Sequence, residues 1–142
     1  MPIRLLLVDD SETILALLQE LVSRDPEFQL VGVARNGVEA IALAQKYRPD
    51  LITMDLLMPE MDGLAAIRKL IAGGSRRIAV LTTLSGADIS FKALEAGALE
   101  VLHKPLNYYS EEGRQAFATL LESLRLLGRS RPGTKLHDVA AV

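Results

Sequence analysis

The chain contains no cysteine, which excludes disulfides, thiolate metal sites and cysteine nucleophiles and makes a reducing cytoplasm the natural compartment. It carries only two histidines, His103 and His137. The formal net charge is no more than −2, and nothing in that balance advertises direct binding of nucleic acid. No apolar run is long enough to span a bilayer. The start MPIRLLLVDD is not a signal peptide, because two acids follow where a longer apolar region and a small-residue cleavage site would be needed. What is present is 142 residues, 49% apolar and 24% charged, enough to bury one hydrophobic core without staples.

Short apolar runs alternate with amphipathic stretches about five times, a βα rhythm. IRLLLV (Ile3 to Val8) reads as a strand buried on both faces; Ser11 then suits an N-cap, and Ile14, Leu17, Leu18, Leu21 and Val22 recur at helical spacing. FQLVGV (Phe28 to Val33) is the second strand, and Asn36-Gly37 turns into a helix whose apolar residues are Val38, Ile41, Ala42 and Ala44. LITM (Leu51 to Met54) is the third, followed by a helix that Asp62 or Gly63 opens, that carries Leu64, Ile67, Leu70 and Ile71, and that Gly73-Gly74 ends. IAVLT (Ile78 to Thr82) is the fourth strand, with a weaker helix from Ile89 to Glu95 stopped by Gly97. LEVLH (Leu99 to His103) is the fifth, and a last helix from about Ser110 to Leu127 turns Phe117, Leu120, Leu121, Leu124 and Leu127 inward.

From Gly128 the periodicity fails and glycine, proline and basic residues take over. The expectation is therefore a domain over residues 1–127 and a mobile tail or interdomain linker over 128–142. Alternating strands and helices imply a parallel sheet with right-handed crossovers, hence a five-stranded α/β sandwich of three layers.

In a parallel sheet all C-terminal strand ends share one edge, where open α/β folds place ligands. Asp9 and Asp10 leave the first strand there, Asp55 the third, Thr82 and Thr83 the fourth, His103 and Lys104 the fifth. Three carboxylates converging on one crevice cannot all stay ionised without compensation. An all-oxygen set with no cysteine and no histidine pair suits a hard cation, and Mg²⁺ better than Ca²⁺ or Zn²⁺. With Lys104 adding a compact positive charge and Thr82 a hydroxyl donor, an incoming phosphoryl group would find its oxygens neutralised while a carboxylate attacks.

LLVDDS, DLITMDLLMPEMDG, VLTT and GALEVLHKP, each near the end of an expected strand, closely resemble response-regulator receiver domains over roughly Ile3 to Leu127. The resemblance implies a flavodoxin-like (βα)5 fold with strand order 2-1-3-4-5. It implies Asp55 as phosphoacceptor for a histidine kinase, and Asp9, Asp10, Asp55 and the backbone carbonyl of Leu57 as ligands of Mg²⁺, with Mn²⁺ as a substitute. Asp10 would be the more direct ligand, with Asp9 acting largely through water. Thr82 and Lys104 would stabilise the phosphoryl group, the Lys104-Pro105 bond would be cis, and Pro59 and Gly63 would shape the loop after Asp55. PIRLLLVDDS, DPEFQLVGVARNGVEA and ALEAGALEVLHKP look most like the N-terminal receiver of chemotaxis protein-glutamate methylesterases. The chain would then be the regulatory part of such an enzyme or a stand-alone response regulator. No Gly-x-Ser-x-Gly elbow is present, so these residues encode no hydrolase, and self-phosphorylation and autodephosphorylation are the only chemistry expected of them.

Two positions depart from the receiver pattern. Many receivers carry Tyr or Phe at the switch position occupied here by Val101, whose branched side chain cannot make a large ring movement. Leu57 and Leu84 stand where polar side chains can assist the water that removes the phosphoryl group, so slow autodephosphorylation is expected. Taken alone, each acid, Thr82 or Lys104 has a structural explanation as a cap, strand or turn residue; their joint placement does not. A flavodoxin-like phosphate binder would need a Gly/Ser/Thr loop where VDDSET is acidic, a dehalogenase-like phosphohydrolase a second acid at Leu57. Output would pass to an effector domain or downstream protein. No membrane contact is expected, and leftover apolar surface on the last helix could support a dimer.

Overall fold

The computed structural model describes residues 1–58, 61–75, 77–105 and 107–130. Five strands, β1 (Ile3–Val8), β2 (Phe28–Ala34), β3 (Leu51–Met54), β4 (Ile78–Thr82) and β5 (Glu100–His103), alternate with α1 (Glu12–Ser23), α2 (Gly37–Tyr47), α3 (Gly63–Ala72), α4 (Ala87–Ala96) and α5 (Glu111–Arg129). All strand pairs are parallel and the order is β2-β1-β3-β4-β5. The chain therefore winds outward from β1 in one direction and then reverses to build β3, β4 and β5.

The period-two geometry of the central strands divides the core in two. Leu5, Leu7, Leu51, Ala79 and Leu81 face α1 and α5, where they meet Leu15, Leu18, Phe117, Leu120 and Leu124. Leu6, Val8, Ile52, Met54 and Val80 face α2, α3 and α4, where they meet Ala40, Ala44, Ile67, Leu70 and Ala93. Because both faces are covered, these strands are continuous apolar runs. Four helix starts are capped as their sequences suggest: Ser11, Asn36, Asp62 and Ser110 accept the backbone N–H of Ile14, Glu39, Ala65 and Gly113.

Three expectations need correction. Val38 is 52% exposed and Ala42 is also exposed, because α2 turns Ala40 and Ala44 to the sheet and a residue two positions from either lies on another face. The last helix includes Gly128 and Arg129; a Cβ at Gly128 would lie 2.7 Å from Ile3 Cγ2, so the apolar pattern lapses where α5 lies tight against Ile3 of β1. The remainder of the expected tail, 131–142 with His137, lies outside the described residues, as does Pro59. Finally, the described residues contain no cis peptide bond, so Lys104-Pro105 is trans rather than cis. The tertiary amide leaves a trans preference of about 0.5–1 kcal/mol that local context must overcome, and a proline alone does not overcome it.

Among the described residues no helix is long and apolar enough to cross a membrane. Leu124 is 0% exposed, and Leu124→Ala is expected to lower stability in urea unfolding by about 2–5 kcal/mol. Val38→Ala, on the outer face of α2, is expected to change it by less than about 0.5 kcal/mol.

Candidate functional site

The parallel arrangement sends β1, β3 and β5 to one edge, and backbone hydrogen bonds hold the residues that follow them. Asp9 N–H donates to Ala34 O at 3.0 Å, Asp55 N–H to Val8 O at 3.1 Å and Lys104 N–H to Thr82 O at 3.0 Å. Each side chain of the cluster thus starts from a backbone fixed by the neighbouring strand.

Asp9, Asp10 and Asp55 each offer a carboxylate oxygen within 4.8 Å of the others. Asp9 and Asp55 are 2% and 4% exposed, while Asp10 faces solvent. Lys104 Nζ lies between the buried pair, 2.7 Å from Asp9 Oδ2 and 2.9 Å from Asp55 Oδ2. The remaining oxygens are also engaged: Ser11 N–H donates to Asp9 Oδ1 at 2.9 Å and Leu57 N–H to Asp55 Oδ1 at 3.2 Å. Burial pushes the Asp9 carboxyl above its ordinary range and the neighbouring Asp55 charge adds to that, against the opposing pull of Lys104 and the Ser11 N–H. Burial alone would lower the Lys104 ammonium, but Asp9 and Asp55 outweigh it and raise it. The lysine stays charged.

Three carboxylates against one ammonium leave two negative charges in excess. The donors are all oxygens, without cysteine or histidine, and this set fits a hard divalent cation. Asp10, exposed and without a lysine partner, is the most accessible of the three.

The other expected site residues are placed as follows. Thr82 is 0% exposed, and its Oγ1 accepts the Leu84 N–H at 3.2 Å. Val101 is partly buried and packs against the α2-α3-α4 core rather than on the carboxylates. His103 and Thr83 are exposed, and among the described residues no hydrogen bond or ion pair joins either side chain to the cluster. The Leu57 side chain is 53% exposed. Its N–H bond to Asp55 was not foreseen, since the residue type carries no sign of what its backbone does. Also unforeseen is an ion pair between Arg35, after β2, and Glu12, at the start of α1.

Gly63 is explained by close approach. A Cβ there would lie 2.5 Å from Leu56 Cα and 2.7 Å from Asp55 O. Both neighbours are backbone, so neither can rotate aside.

Comparison with known proteins adds an independent finding. The family model described as the response regulator receiver domain matches residues 5–112. Protein-glutamate methylesterase/protein-glutamine glutaminase 4 of Myxococcus xanthus is 50% identical over 142 residues, covering 99% of this chain and 40% of its own length. The chain thus spans about 40% of the length of that curated relative. The crystal structure of the response regulator domain of Thermotoga maritima CheB is similar with a TM-score of 0.83 and 33% identity, over 93% of this chain and 100% of that one. The Mn(2+)-bound form of response regulator Rcp1 is similar with a TM-score of 0.72 and 25% identity, over 92% of this chain and 99% of that one.

Two substitutions test this geometry. Gly63→Ala is expected to destabilise the domain by about 1–3 kcal/mol in chemical unfolding, because backbone must move. Lys104→Met leaves Asp9 and Asp55 buried without their ammonium, and a loss of about 3–5 kcal/mol is expected in metal-free buffer. Added Mg²⁺ is expected to restore part of the Lys104→Met loss; no recovery would show that the carboxylates do not hold the cation.

Proposed function

The chain belongs to the response regulator receiver domain family, and from that membership we propose that it takes a phosphoryl group from a phosphohistidine of a histidine kinase onto Asp55. The observation that carries this reading is the engagement of Asp55, buried at the strand edge with Lys104 on one oxygen at 2.9 Å and the Leu57 N–H on the other at 3.2 Å. Mg²⁺, with Mn²⁺ as a substitute, would be held by Asp9, Asp10, Asp55 and the Leu57 carbonyl. When bound, the cation neutralises phosphoryl oxygens during transfer.

An Asp55 carboxylate oxygen attacks phosphorus, the new O–P bond forms as the P–N bond breaks, and the imidazole leaves with the electron pair and takes up a proton. Lys104 exchanges part of its contact with Asp55 for a phosphoryl oxygen, which keeps its charge compensated. The Thr82 hydroxyl, an acceptor from Leu84 N–H, has its own proton to donate to a second phosphoryl oxygen.

Drawing Thr82 toward that oxygen pulls on the segment from Thr82 to Leu102, which includes α4. With Val101 in place of an aromatic ring, the signal is carried by loop and helix displacement rather than ring rotation. Leu57 and Leu84 hold no polar side chain to orient water, and this favours a long-lived aspartyl phosphate. The likeness to methylesterase receivers supports a regulatory role toward such an effector in the parent protein, in the cytoplasm.

Incubation with acetyl phosphate and Mg²⁺ is expected to add the mass of one phosphoryl group in a hydroxylamine-labile bond. The adduct should be lost in Asp55→Asn and on chelation of the metal. An adduct that survives Asp55→Asn would overturn the assignment, and decay within seconds would contradict the role given to Leu57 and Leu84.

A further inference from the structure

At the sheet edge opposite Asp55, a cavity of about 300 Å³ opens between the C-terminal ends of α2 and α3. Arg48, Lys69 and Arg77 line it together with Asp50, Ser75 and Leu70. Three cations thus share the space with one acid. That acid is already engaged, because Asp50 Oδ2 accepts the backbone N–H of Arg4 at 2.9 Å.

The cations of this cavity, like Arg4, Lys46, Arg68 and Lys92 outside it, form no ion pair with a carboxylate among the described residues, and they are set apart by sharing one cavity. Arg24, Arg35, Arg114, Arg125 and Arg129 all pair with carboxylates. Among the described residues, Arg48 and Lys69 form no such ion pair, and Arg77 uses its Nε on the Ser130 carbonyl at 2.8 Å. Among the described residues the outer nitrogens of Arg77 make no hydrogen bond, while this one fixes the plane of its fork. Its orientation is set before any ligand arrives.

Arg48 supplies a second, independent observation. It caps α2 with φ 47° and ψ 66°, and is the one non-glycine residue with positive φ among the described residues. Glycine is the cheaper residue at such a cap. The conformation is held from both sides, by Arg48 N–H to Ala44 O at 2.9 Å and by Arg4 Nη1 to Arg48 O at 2.8 Å. Both bonds use only the backbone of Arg48, so they give no reason for its guanidinium. The favourable interaction of cations with helix C-termini explains Lys69, in the last turn of α3, and favours a cation at Arg48, the C-cap of α2. It does not explain Arg77, which precedes β4, or the convergence of all three on one cavity.

We infer that this cavity binds a small molecule bearing two adjacent anionic groups, phosphate or carboxylate, gripped by Arg48, Lys69 and Arg77. Its volume is at the lower end of the range of about 300–1,000 Å³ typical of small-molecule pockets, which suits a compact ligand. Guanidinium forks match the paired oxygens of either group. The inference stands apart from the phosphoacceptor reading, since the cavity and Asp55 lie at opposite ends of the strands.

The test is a calorimetric titration of the metal-free chain, with pyrophosphate in one arm and citrate in the other. Saturable binding is expected in at least one arm, and the arm that binds more tightly distinguishes phosphate from carboxylate. Arg48→Gly and Lys69→Gln are each expected to weaken it at least tenfold. Arg48→Gly relaxes the cap, so its thermal midpoint should equal or exceed the parent value, separating lost binding from lost fold. Lys92→Gln removes an exposed cation of α4 outside the cavity and should leave binding unchanged. Absence of saturable binding in both arms, or an equal loss in all three variants, would overturn the proposal.

Discussion

One ammonium between two buried carboxylates organises the C-terminal edge of this sheet. Lys104 follows β5, Asp9 follows β1 and Asp55 follows β3, so the contact links strands at the centre and the rim of a sheet that only reversed strand order brings together. Taking such charges from water costs several kcal/mol each, and their attraction only repays this when the hydrogen bonds are complete. Here Ser11 and Leu57 complete them with backbone N–H groups. The cluster is still left acidic, and the two flanking layers of apolar packing are what keep it folded. An all-oxygen cluster left acidic in this way suits a divalent cation, which brings the positive charge the site is short of.

The same constraint explains the surroundings. Gly63 lets the loop after Asp55 close against its carbonyl, and Gly63 N–H donates to Leu56 O at 3.1 Å. Thr82 lies at the end of the adjacent strand with its hydroxyl bonded to the turn that leads toward α4. A small movement of that hydroxyl is thereby connected to a helix. Val101, opposite Val80 in the sheet, packs against the core on that side and contributes shape rather than a rotating ring. At the other end of the strands, Arg48, Lys69 and Arg77 line one cavity with a single acid, Asp50.

Much of this was legible in the sequence, for reasons that differ by element. The caps at Ser11, Asn36, Asp62 and Ser110 are local chemistry, readable from a few residues. The convergence of Asp9, Asp10, Asp55 and Lys104 is long-range, yet it follows from the parallel rhythm alone, which puts every strand's last residue on one edge. Likeness to receiver domains added the separate roles. What escaped depended on orientation or backbone. Val38 is apolar but faces outward because Ala40 and Ala44 occupy the buried side of α2. The trans Lys104-Pro105 bond depends on context that a proline does not encode. The Leu57 N–H, the closeness of Gly128 to Ile3 and the left-handed Arg48 are backbone facts, and residue type gave no sign of the first.

The central claim is that Asp55 and its acidic neighbours form one phosphoryl site that depends on a divalent cation. Its most direct test is titration with beryllofluoride, a phosphoryl mimic, followed by chemical shifts at Asp55, Thr82 and Lys104. Saturable shifts at all three positions with Mg²⁺ present, and none after chelation or in Asp55→Asn, are the predicted result. Shifts that persist without the cation, or that arise elsewhere while these three positions stay unchanged, would contradict it.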